Sequence, residues 1–116
     1  MPTDRSLDGP SLAPPGPWLE VRSGRRFGVL EVSVLGEADL TNHGDLQRLL
    51  DALDVSGSAR VDLDLGQLAF ADTRSACHLL DFVQRSEHTG CEVCVVGAQP
   101  AVARLLGLLT EVPHTA

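Results

Sequence analysis

The sequence predicts an α/β domain: a mixed β-sheet that opens with an N-terminal β-hairpin and carries its helices mostly on one face. Three observations point there. Two stretches near the start alternate apolar and polar residues. Three later stretches place apolar residues at helical spacing. Short Val- and Leu-rich runs precede the last two of these stripes, as in repeated strand–helix units.

The elements follow in order. Trp18-Leu19-Glu20-Val21-Arg22 alternates, and Ser23-Gly24-Arg25-Arg26 reads as a turn. Leu30, Val32 and Val34 then point one way, with Glu31 and Ser33 the other, giving a hairpin with one wet face. Leu46, Leu49, Leu50 and Leu53 fall at i, i+3, i+4 and i+7, predicting a helix near 41–54. A third strand has Val61, Leu63 and Leu65 inward with Asp62 and Asp64 outward. Ala76, Leu79, Leu80 and Val83 mark a second helix near 74–88, which Asp72 or Thr73 is placed to cap. Glu92 to Val96 is the fourth strand. Pro100 suits the first turn of a third helix near 100–109, with the stripe Val102, Leu105, Leu106 and Leu109. The predicted order is β-β-α-β-α-β-α, with right-handed parallel crossovers.

A chain of 116 residues suits one domain, expected over residues 18–116. Residues 1–17, dense in Pro and Gly without periodicity, read as a disordered arm. With so few aromatic residues, the core is expected to be Leu, Val and Ala. A net charge of −7 disfavours nucleic acid and anionic membrane surfaces as partners and favours basic protein patches. No apolar run approaches the roughly 18 residues of a spanning helix. The N-terminus has no apolar stretch of the secretory kind, so a cytoplasmic location is expected. Three cysteines, an odd count, argue against a disulfide framework.

Several residue groups could carry chemistry, and most have a plainer reading. Cys91-Glu92-Val93-Cys94 is a C-x-x-C match. Placed in a strand, its two thiols point to opposite faces and cannot pair. Ser75, His78 and Asp81 invite a triad reading, but lie on one helix. Arg74, His78, Asp81 and Arg85 fall on the face opposite the core stripe, with Asp81 and Arg85 placed for an i,i+4 ion pair. Glu37, Asp39, Asp62 and Asp64 could suggest a metal, yet Asp62 and Asp64 are the wet side of a strand. Asp39 can cap a helix or favour its dipole. No phosphate loop of Walker or Rossmann spacing is present, so no metal and no cofactor are expected.

The segment Phe70-Ala71-Asp72-Thr73-Arg74-Ser75-Ala76 joins a strand end to a helix start. Open α/β sheets meet ligands and partners at such places. Its hydroxyl groups sit beside free helix N–H groups, which favour anions, though an ordinary N-cap would use the same residues.

In these motifs the sequence resembles the STAS family, which includes bacterial anti-sigma factor antagonists and the cytoplasmic tails of sulfate transporters. Gly36-Glu37-Ala38-Asp39-Leu40 is similar to the family's G-E-x-D-L, and Val61 to Leu65 followed by Phe70 to its central strand. Asp72-Thr73-Arg74-Ser75 stands where the family has D-S-S-G, and Val96-Gly97-Ala98-Gln99-Pro100-Ala101-Val102 resembles its last strand-to-helix turn. The match runs from about Trp18 to Leu109. The resemblance implies a protein-binding regulator, not an enzyme, whose partner is a kinase-type anti-sigma factor or a related signalling protein. In the antagonists, the second hydroxyl residue of D-S-S-G accepts phosphate from that kinase. Here Arg74 occupies that position and cannot accept phosphate. Thr73 and then Ser75 remain as possible phosphorylation positions. The partner-binding surface expected from the resemblance comprises Asp39, Asp72, Thr73, Arg74, Ser75 and His78. Arg74 either contacts an acidic partner group or is a tolerated surface charge. A ligand-sensing or scaffold STAS unit without phosphorylation is the alternative, and a small enzyme using Cys91 and Cys94, or Ser75 and His78, the third class. Oligomeric state is left open. Thr110 to Ala116 is short for the family's final helix, so that last element is expected to be missing or frayed.

Overall fold

The computed structural model describes residues 18–114, so the expectation for the arm at 1–17 lies outside the described residues. The element order is β1 (Leu19–Arg26), β2 (Val29–Ala38), α1 (His43–Asp51), β3 (Arg60–Asp64), β4 (Leu68–Ala71), α2 (Thr73–His88), β5 (Glu92–Val96) and α3 (Pro100–His114). It is the expected mixed α/β fold, with one strand that the sequence reading did not separate.

β1 and β2 form the antiparallel hairpin, in register from Leu19↔Gly36 to Arg26↔Val29. The turn is not Ser23–Arg26, which continues the strand. It is Phe27-Gly28, with φ of 53° and 81°. Two consecutive positive-φ residues make the tight two-residue connection whose twist matches a hairpin. Gly24 is a strand residue opposite Glu31.

The other edge of β2 is used twice. Val29–Ser33 pairs in parallel with β3, and Gly36–Ala38 pairs in parallel with β4, with a register shift between Gly36 and Glu37. β3 and β4 therefore run one after the other along the same neighbour, separated by Leu65-Gly66-Gln67. The amide of Gly36 donates to the Gln67 carbonyl at 2.9 Å, spanning the break. β5 pairs in parallel with β3 on the far side.

One sheet face holds the core. Val32, Val34, Val61, Leu63, Leu65 and Leu68 are buried there against Leu46 and Leu50 of α1 and Leu79 and Phe82 of α2. Full burial of a side chain of this size stabilises by about 1.5–3 kcal/mol. Glu31, Asp62 and Cys94 share a row on the opposite, open face. In α1, Leu46 and Leu50 are buried, while Leu49 of the predicted stripe is exposed. α1 is shorter than 41–54, and α3 longer than expected, reaching His114 with Val102 buried.

Arg85 corrects a second expectation. It does not pair with Asp81. Its guanidinium donates to the Leu50 carbonyl at 2.7 Å and the Leu53 carbonyl at 3.4 Å, tying α2 to the C-terminal end of α1. The Leu50 carbonyl also accepts the Leu53 amide at 3.1 Å, so the guanidinium adds a second, charged donor at the negative end of the α1 dipole.

Candidate functional site

Parallel pairing of Ala38 with Ala71 brings the C-terminal ends of β2 and β4 side by side. The Asp39–Asn42 loop and the start of α2 leave the sheet together there. The Asp72 amide donates to the Ala38 carbonyl at 3.0 Å and joins the two segments directly.

Asp72 is the N-cap of α2. Its backbone is extended, and its Oδ1 accepts the Ser75 amide at 2.8 Å. Thr73 and Arg74 follow in the first turn with exposed side chains. Their amides precede the first possible intrahelical acceptors, so this helix end keeps free donors. Among the described residues Arg74 has no ion-pair partner.

Ser75 behaves otherwise than expected. It is fully buried, and its Oγ has no hydrogen-bond partner among the described residues. Ser75 begins the buried stripe of α2, which runs through Ala76, Leu79, Phe82 and Ser86. A side chain in that place cannot touch a partner or receive phosphate while the helix is docked.

The adjoining loop is self-closed. Asp39 Oδ1 accepts the Thr41 amide at 2.8 Å and the Thr41 hydroxyl at 2.7 Å. The hydroxyl bond, with the backbone bond second, holds the Asp39 carboxyl below the usual carboxylate range. Asp39 thus does not cap α1 with its side chain; the α1 N-cap is Asn42, which makes no side-chain cap bond. Asn42 instead accepts the Asp39 amide and donates to the Glu37 carbonyl, each at 2.9 Å. This loop presents Leu40, 72% exposed, beside Phe70, 50% exposed.

Leu40, Asp72, Thr73, Arg74, Cys77, His78 and Asp81 line an open groove of about 620 Å³. A second shallow hollow shares Leu40 and Asp72 and adds Asp39, Thr41 and Phe70. Of the six residues expected at the surface, Asp72, Thr73, Arg74 and His78 line the groove; Asp39 borders it; Ser75 lies beneath it. The sequence places Asp81 on the exposed face of this helix and Phe70 in the strand-to-helix segment, but does not mark Leu40 or Cys77 as surface members. Leu40 enters the sequence reading only through its motif, although an apolar group at a sheet end is a usable signal for contact.

His78 makes one further contact. Its Nε2 is 3.2 Å from Nδ1 of His43, the first residue of α1, with the rings 17° from parallel.

The other candidate chemistries disperse. Cys91 is buried, its Sγ donating to the Ser58 carbonyl at 3.2 Å, while Cys94 shares a row with Asp62 on the open face; all three thiols are free. Asp62 pairs with Arg60 at 2.9 Å, and Asp64 accepts the Gly66 amide. Among the described residues no group of three or more His, Cys, Asp or Glu could hold a metal ion. No helix there is long and apolar enough to cross a membrane.

Comparison with known proteins bears on this geometry. The chain is similar in structure to an anti-sigma factor antagonist from Mycobacterium paratuberculosis. The TM-score is 0.64 and the identity 21%, over 84% of this chain and 82% of that one. It is also similar to an antisigma-factor antagonist STAS domain from Rhodobacter sphaeroides (TM-score 0.59, 23% identity, 68% and 86% covered). A third similar structure is the phosphorylated form of the Bacillus cell fate determinant SpoIIAA (TM-score 0.61, 11% identity, 83% and 86% covered). At these identities the likeness concerns the fold. No curated protein matches the sequence. The family model of the STAS domain matches residues 22–112, the whole sheet from within β1 and nearly all of α3, and the chain belongs to that family.

Proposed function

We propose that this STAS domain is a regulatory binding module and not an enzyme, and that it engages a kinase-type anti-sigma factor through the groove at the start of α2. The observation that carries this reading is the clustering of exposed Leu40 and Phe70 with Thr73 and Arg74, at the joined ends of β2 and β4. Apolar anchors beside a cation are what a protein interface uses: buried area from the former, orientation from the latter. The fold shared with anti-sigma factor antagonists supports the partner class.

The same surface argues for binding without the phosphate switch. A phosphoryl group adds close to two negative charges at a helix N-terminus. Arg74, at the position that resembles the acceptor, carries a permanent positive charge instead. Ser75 is buried. Thr73 is the exposed hydroxyl that remains in the motif. The module therefore binds in one constitutive mode. The ligand-sensing or scaffold reading also lacks the phosphate switch, and Arg74 is the residue that favours it over a switchable antagonist.

The test is incubation of the purified chain with the kinase-type anti-sigma factors of its own organism and ATP, followed by binding measurement and phosphopeptide mapping of residues 61–85. Stable binding with unmodified Thr73 is the expected result. Stoichiometric phosphate on Thr73 with loss of binding would show the constitutive mode to be wrong, and no binding to any such kinase would leave the scaffold reading in its place.

A further inference from the structure

We propose that the His43–His78 contact is a pH-operated clasp on the groove, holding the N-terminal end of α1 against α2 and opening when both imidazoles are protonated. Its regulatory meaning rests on the groove being the binding surface; its physical content rests on geometry alone.

The two ring nitrogens are 3.2 Å apart, a hydrogen-bond distance in which one must donate and the other accept. A neutral pair satisfies this. A pair with one added proton satisfies it better, because the bond becomes charge-assisted. A pair with two added protons cannot form it: both nitrogens then carry hydrogen, and two like charges face each other. Imidazole is the side chain that ordinarily changes charge between about pH 5 and 8. A second proton on the pair therefore costs the contact.

The position of the pair gives this a direction. α1 is held on α2 by hydrogen-bonding side chains at both ends. At the C-terminal end Arg85 reaches the Leu50 and Leu53 carbonyls, and a guanidinium keeps its charge throughout this pH range. At the N-terminal end the corresponding connection is His43–His78. One pin is insensitive to pH and the other is not. The sensitive pin stands next to the loop that carries Leu40, and His78 itself lines the groove.

The surrounding charges do not rescue the doubly protonated pair. On α2, Arg74 lies one turn before His78, and Asp81 nearly one turn after, with Asp72 at the cap and the Cys77 thiol adjacent in sequence. On the loop, the Asp39 carboxylate is engaged by Thr41. On α1, Asp45 is paired with Arg48. On β1, which α1 also touches, Glu20 and Arg22 pair with each other, and Arg25 is held by the Ser56 carbonyl and the Ser58 hydroxyl. β4 carries no titratable residue, and Arg104 of α3 is exposed. Among the described residues no carboxylate lies within ion-pair distance of either ring. Carboxylates ordinarily titrate near 4, below the window that matters. A cation on His43 also opposes the dipole at the start of α1.

The clasp is tested on the whole chain, without any partner, by amide hydrogen exchange in EDTA at about pH 7.5 and about pH 5, each corrected for intrinsic rates. The amides of Asp45 and Leu46, which bond to the Asn42 carbonyl, report the N-terminal end. Those of Ala52 and Leu53 report the Arg85 end. On acidification, protection at Asp45 and Leu46 is expected to fall about tenfold more than at Ala52 and Leu53. The difference should vanish in His43→Gln and in His78→Gln and persist in His88→Gln. An equal fall at both ends, no fall, or a fall that survives in both pair variants would overturn the proposal. A negative result would leave partner binding untouched, and failure to bind a kinase would leave the exchange result standing.

Discussion

A Cβ placed on Gly36 would lie 2.1 Å from the carbonyl oxygen of Trp18, a contact no packed side chain tolerates. Gly36 also has φ of 105°, outside the range of L side chains. It sits where β2 leaves β3 for β4, while the next amide, that of Glu37, bonds to the same Trp18 oxygen at 2.8 Å. Gly36→Ala is expected to cost roughly 2–4 kcal/mol, from strain and displacement of the strand end together. Urea denaturation measures it, and a loss under about 1 kcal/mol would mean that Trp18 moves aside freely.

Phe27 presents the opposite case. It holds φ of 53° and is 96% exposed, so it is strained and buries nothing. Asn is favoured before Gly in such a turn. Phe27→Asn is expected to stabilise the fold by about 0.5–1 kcal/mol. A thermal melt decides it; a lowered Tm would show that the ring contributes to the folded state.

Arg85 ties the helices by bonds to two carbonyls and lies 5.3 Å over the Phe82 ring. Arg85→Met should cost about 1–2 kcal/mol, since it leaves the Leu50 carbonyl without its charged donor. Asp81→Asn should change stability by less than about 0.5 kcal/mol, as expected of a surface position outside any pair. Comparable losses in both variants would restore the Asp81–Arg85 ion pair.

Asp39 gives a pH dependence with a definite sign. Its carboxyl is lowered in the fold, first by the Thr41 hydroxyl and then by the Thr41 amide. A lowered carboxyl adds stability above its unfolded value and loses it as pH falls through the folded value. The contribution is thus intact at neutral pH and fades below the ordinary value of 3.8. Thr41→Val should bring the Asp39 titration, followed by carboxyl NMR, back toward the ordinary range. An unchanged titration would assign the effect to the backbone bond alone.

Much of this was legible in the sequence because it follows from periodicity. The stripes at Leu46–Leu50, Ala76–Leu79 and Val102–Leu106 placed three helices, and the alternation at Leu30–Val34 and Val61–Leu65 placed strands. What periodicity does not encode was missed. β4 is four residues long, exposed at Ala69 and Phe70, and defined by its neighbour β2 more than by its own pattern. Gly24 resembled a turn glycine, but the turn needed two positive-φ positions in succession, at Phe27 and Gly28. Motif position suggests a surface hydroxyl at Ser75, whereas helix rotation puts it in line with Leu79 and Phe82. His43 and His78 are 35 residues apart and meet only once α1 packs on α2.

The measurement that tests the central claim most directly is calorimetric titration of the chain with a kinase-type anti-sigma factor, comparing wild type, Leu40→Asp and the open-face variant Glu31→Gln. Leu40 is exposed beside Phe70 at the groove, whereas Glu31 lies on the far side of the sheet. Wild type and Glu31→Gln should bind alike, and Leu40→Asp should bind at least about tenfold more weakly, as for an interface anchor. Equal binding by Leu40→Asp, or a loss confined to Glu31→Gln, would contradict the assignment of this groove as the contact surface.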